Sequence, residues 1–131
     1  MDFIRHTNPP ALSKPTGYTH VVEATRGRTV YISGQVAFDA SGALVGKDDF
    51  IAQTRQVMEN LKAALAAGGA TFENVVKVNT YVTDLSQIQA LREIRASYFG
   101  PNPPASTLVQ IVALATPDLM IEVEAIAVLA V

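Results

Sequence analysis

Two hydrophobic rhythms alternate along the chain, and each predicts a different kind of element. Runs rich in β-branched and aromatic residues recur over residues 19–25, 29–36, 74–82, 105–111 and 121–131, the pattern of strands. Between them, Phe50, Thr54, Val57, Met58, Leu61 and Leu65 recur at helical spacing, with Arg55, Glu59 and Lys62 on the polar face. Asp48 or Asp49 can cap that helix, and Gly68-Gly69 ends it. A second helix carries Ile88, Leu91, Ile94 and Tyr98 on its apolar face and stops at Gly100-Pro101-Asn102-Pro103-Pro104. Asp84 and Gln87 have capping-box spacing ahead of it.

The punctuation predicts the connections. Arg26-Gly27-Arg28 is a tight turn, which makes 19–25 and 29–36 a hairpin. Thr116-Pro117-Asp118 is a turn that pairs 105–111 with 121–131. The prolines of residues 1–17 predict an extended surface arm. The resulting order, β-β-α-β-α-β-β, predicts an α+β domain with both helices on one face of a mixed sheet.

That leaves the opposite sheet face to account for. In the last strand Ile121, Val123, Ala125, Ala127, Leu129 and Val131 share one side, and Glu122, Glu124, Ile126, Val128 and Ala130 share the other. Both sides read as largely apolar, as if both were buried. Two helices cover one, so the second is expected to meet another copy of the chain.

Composition narrows the function. With 131 residues the chain is expected to be one domain, 1–131, with a real core. Net charge is −2 and no basic block occurs, which speaks against a nucleic-acid partner. Cysteine is absent, so disulfides and thiolate metal sites are excluded. No apolar run approaches a membrane span, and the N-terminus lacks a signal-peptide pattern, so the cytoplasm is the expected compartment. His6 and His20 have no ligand spacing around them, and no phosphate-binding glycine motif is present. No metal or cofactor is expected.

Few residues can carry chemistry. Glu122 and Glu124 point the same way from a mostly apolar strand, which suits general acid/base work or simply a strand end meeting solvent or a lysine. Ser33-Gly34 ends a strong strand, where glycine permits close approach of a ligand or of a neighbouring strand. No base adjoins Ser33 and no nucleophile elbow surrounds it. Tyr18 follows a Pro-Thr-Gly turn and could wall a pocket or pack on a surface. Arg92 and Arg95 read as part of a solvated helix face.

Together, Tyr31-Ile32-Ser33-Gly34-Gln35-Val36, the Gly68-Gly69 helix end, Val75-Val76-Lys77-Val78 with Val82-Thr83-Asp84-Leu85, the Pro104-Ala105 step and Ile121-Glu122-Val123-Glu124-Ala125-Ile126-Ala127 resemble the RidA/YjgF family of reactive-intermediate deaminases. The resemblance runs over nearly the whole chain. It implies a chorismate-mutase-like fold and a homotrimeric barrel with a cleft between each pair of subunits. In that family an imine or enamine is hydrolysed to a 2-keto acid and ammonia without metal or cofactor.

The resemblance implies Glu122 as the group that positions water, with Tyr18, Ser33 and Gly34 lining the cleft. It also implies an arginine after the Pro-Ala step to fork onto the substrate carboxylate. Here that position is Ser106, followed by Thr107 and Leu108. Losing such a clamp would cost on the order of 2–4 kcal/mol of binding unless replaced. Arg92, at a position where the deaminases often carry asparagine, is the candidate replacement. The expected function is hydrolysis of a small polar imine, enamine or related intermediate, with efficient deamination of 2-aminoacrylate not expected. The alternative is a non-catalytic metabolite-binding trimer, and an RNA-directed activity ranks last.

Overall fold

A computed structural model describes residues 1–131. Its elements are β1 (Ile4–Thr7), β2 (Val21–Ala24), β3 (Arg28–Gln35), α1 (Phe50–Ala67), a 3₁₀ turn (Phe72–Asn74), β4 (Val75–Val82), α2 (Ile88–Phe99), β5 (Ala105–Gln110) and β6 (Ile121–Leu129). The four-stranded sheet has the order β3-β6-β4-β5. β6 is antiparallel to both β3 and β4, and β4 and β5 are parallel. A parallel pair needs a long crossover, and α2 supplies it.

The helices form where the periodicity places them. Asp49 Oδ1 accepts from the Ala52 amide at 3.0 Å and opens α1. Gly69 at φ +81 reverses the chain at its end, a conformation that favours glycine. Phe50, Val57, Met58, Leu61 and Leu65 of α1 join Leu91, Ile94 and Phe99 of α2 in one core of 19 buried residues. On the sheet side that core is met by Val78 and Val82 of β4 and by Ile121, Val123, Ala125, Ala127 and Leu129 of β6. Gln53, fully buried, ties the surrounding loops to α1: its amide nitrogen donates to the carbonyls of Gly46 and Asp118, and its oxygen accepts from the Met120 amide.

Four expectations are corrected. The hairpin of 19–25 with 29–36 does not form, because β2 pairs antiparallel with β1, from Ile4 opposite Ala24 to Thr7 opposite Val21. The gain is apolar burial: Phe3 and Ile4 pack with Val128 in a second cluster, supported by Val22 and Val76. For the same reason residues 1–17 are not simply a surface arm. The strands 105–111 and 121–131 are not neighbours, since β4 lies between β5 and β6 and pairs with both. Finally, no capping box opens α2. Asp84 Oδ1 instead accepts from the Ser86 amide at 2.8 Å, a local Asx turn that occupies the side chain before the helix begins.

The sheet face away from the helices is more mixed than the last strand alone implies. Register places Tyr81 opposite Glu122, Asn79 opposite Glu124 and Lys77 opposite Ile126. Lys77 also donates to Thr107 Oγ1 at 3.0 Å. Glu122, Glu124 and Ile126 are half-buried, whereas Tyr31 on the edge strand is 78% exposed. No helix is long and apolar enough to cross a membrane.

Candidate functional site

The residues singled out from the sequence fall into two groups on opposite sides of the sheet. The first lies on the open face, where β6 meets β3. Glu122 alternates with the core residues Ile121 and Val123 and so projects away from the helices. Beside it the β3–β6 register shifts between Ile32 and Gln35, so Ser33 and Gly34 sit in an irregularity of the edge strand. The Glu122 carboxylate lies over Gly34, in space that a side chain on Gly34 would occupy. Both readings of this glycine are thus compatible with the geometry: strand packing is close, and what packs there is a carboxylate. Ser33 is exposed. The neighbouring Glu124 is engaged, because Tyr81 Oη donates to its Oε1 at 2.5 Å. That bond pushes the Tyr81 phenol pKa up, with burial and the Glu122 charge adding to it.

The second group lies between α2 and β5. A cleft of about 150 Å³ is lined by Thr16, Gly17, Tyr18, Arg92, Arg95, Ser106 and Leu108. Ser106 and Leu108 alternate with Thr107, which points to the open face beside Lys77. Tyr18 is brought there by its neighbour: the Thr19 amide donates to the Pro104 carbonyl at 3.1 Å and Thr19 Oγ1 to the Pro103 carbonyl at 2.5 Å. The Tyr18 ring stands edge-on to His20, with centroids 5.1 Å apart.

Arg92 and Arg95 do not share one solvated face. Arg92 is exposed, but Arg95 is 9% exposed and its Nη2 donates to Ser106 Oγ at 3.0 Å. Its guanidinium also sits 5.9 Å from the Phe99 ring centroid, and its Nε is buried without a partner. Burial lowers the Arg95 pKa from its ordinary value, and the Arg92 charge adds to that. Arg95 is the residue that sequence reasoning misplaced. The signal was its spacing: Leu91, Arg95 and Phe99 recur at four-residue steps, so Arg95 falls between two core residues on the same helix stripe.

A two-helix layer on a mixed sheet, with candidate residues on both faces, defines an α+β chain of the chorismate-mutase-like class. The chain belongs to the Rid/YjgF family, and the family profile described as endoribonuclease L-PSP matches residues 9–129. A crystal structure of a Rid family protein from Yersinia pestis is 43% identical and superposes with a TM-score of 0.89, over 97% of this chain and 99% of that one. A RutC family protein of Pyrococcus horikoshii is 39% identical over 87% of this chain and 89% of its own length. The mouse 2-iminobutanoate/2-iminopropanoate deaminase is 35% identical over 95% of this chain and 89% of its own length.

Proposed function

We propose that the protein hydrolyses the C–N bond of a small imine or enamine in clefts between the subunits of a homotrimer, using no metal or cofactor. The observation that carries this reading is the division of the candidate residues. Glu122, Ser33 and Gly34 occupy one sheet face, and Tyr18, Arg92, Arg95, Ser106 and Leu108 occupy the opposite side near the β5 edge. In one chain they cannot surround one small molecule. An open sheet face and an edge cleft from adjacent copies can, which makes assembly a condition of activity. The similarity to an imine deaminase supports the reaction class.

In this reading the Glu122 carboxylate accepts a proton from water as the water oxygen bonds to the imine carbon. Glu122 returns that proton to the nitrogen to give a neutral carbinolamine, then takes the hydroxyl proton and passes it to the nitrogen as the carbonyl forms and ammonia leaves. Tyr18 and Leu108 wall the substrate, and Ser33 and Thr107 supply hydroxyls at the rims. Ser106 removes the usual carboxylate clamp, so 2-iminopropanoate, the imine form of 2-aminoacrylate, is expected to be a poor substrate.

The test is to generate imines in situ from amino acids with differing side chains and follow keto-acid release. Wild type should accelerate release for at least one imine, and Glu122→Gln should abolish that acceleration. No acceleration with any imine, together with ligand-induced thermal shifts equal in wild type and Glu122→Gln, would replace the enzyme by a metabolite-binding protein.

A further inference from the structure

The α2–β5 cleft holds two positive charges and no negative one. Arg92 and Arg95 both line it, three residues apart on α2, and the remaining lining side chains are uncharged. Neither arginine has a carboxylate within ion-pair distance, since the chain's ion pair is Arg26 with Asp2. Arg95 is more than nine-tenths buried, its only hydrogen-bond acceptor is the neutral Ser106 hydroxyl, and its Nε has no partner. A hydroxyl satisfies one N–H but leaves the charge uncompensated, and a buried unpaired charge is costly in a folded chain. Within one chain, two like charges without a counter-ion mark a place for an anion from outside it, in the cleft that the adjacent copy's Glu122 is proposed to close.

We propose that this cleft binds a small dicarboxylate, with Arg95 engaging one carboxylate beside Ser106 and Arg92 the other at the cleft mouth. Arg95 lies buried in the cleft and Arg92 exposed at its edge, so the two charges sit at different depths and suit negative groups separated by a short carbon chain. A single phosphate concentrates its charge and would satisfy one of them. In a carboxylate-bearing imine, the second acid group would supply the binding that Ser106 forgoes. The inference rests on the function proposed above only in assigning this cleft to the substrate. Binding measured without turnover tests it separately.

The experiment is calorimetric titration of the intact protein with succinate and glutarate, against butyrate and inorganic phosphate, at fixed low salt. Wild type should bind a dicarboxylate about tenfold or more tighter than butyrate, a difference of about 1.4 kcal/mol. Arg92→Gln, at an exposed position, should bring that ratio close to one without altering the melting temperature of the free protein. Arg95→Ala should abolish binding, and Arg95→Lys, which keeps the charge, should restore part of it. Equal affinity for mono- and dicarboxylates would overturn the proposal. So would tighter binding of phosphate, an unchanged ratio in Arg92→Gln, or no binding of any of the four. Imine hydrolysis failing while the dicarboxylate preference holds would refute the enzymatic reading and leave this one standing.

Discussion

Arg95 and Ser106 are joined across the gap between α2 and β5, guanidinium Nη2 to hydroxyl at 3.0 Å, with no acid beside them. A buried arginine held only by a neutral partner is a poor device for stability, because desolvating the charge costs more than one hydrogen bond returns. Arg95→Met retains much of the side-chain volume and removes the charge. The melting temperature should be equal to or higher than that of wild type, while dicarboxylate binding is lost. A fall of several degrees with binding retained would mean that the arginine serves the fold.

Gly34 and Glu122 define a second dependence. A methyl group on Gly34 would overlap the Glu122 carboxylate. Gly34→Ala should therefore displace Glu122 at little cost in stability, because the overlapping atoms end a flexible side chain on an open face. Denaturant unfolding reads the stability. A crystal structure of the variant with Glu122 unmoved would contradict the assignment of this glycine.

Phe3 is buried against Val128 at the end of the sheet, in a segment whose prolines suggest an arm. Phe3→Ala should cost about 3–5 kcal/mol, in the range of a core aromatic truncation. Chemical denaturation of wild type and variant measures it. A change under about 0.5 kcal/mol would show that the Phe3 side chain contributes no more than a surface residue.

Tyr98 should titrate late. Burial, then its 2.6 Å hydrogen bond to Glu59, raises its phenol pKa to about 12. The folded value lies above the unfolded one, so this contribution to stability is whole below the ordinary phenol value of 10.0 and is lost as pH rises through about 12. A spectrophotometric tyrosinate titration should show a step near the raised value that disappears in Tyr98→Phe. An identical titration in the variant would remove the assignment.

Local patterning was enough for the elements that bury one regular face. The helical stripe of α1, its Asp49 cap, the Gly68-Gly69 stop and the alternation of β6 all follow from neighbours a few residues apart. The α+β class follows from the order of those elements, and the family resemblance from short motifs spread along the chain. Strand pairing did not follow, because which strand adjoins which depends on long-range burial and not on turn chemistry. β1 takes β2 to cover Val128, and β4 enters between β5 and β6 because only a central strand can serve both.

The candidate site divides in the same way. Glu122, Gly34, Tyr18 and Ser106 could be named from type and position along the chain. Their separation onto two sides of a sheet belongs to the tertiary structure, since a one-residue step along a strand reverses the face that a side chain meets. Arg95 shows the limit most plainly. Its charge argues for solvent, whereas its place between Leu91 and Phe99 argues for the interior. Only the packing of α2 over the β5 edge decides that the interior wins, with the Ser106 hydroxyl there to receive it.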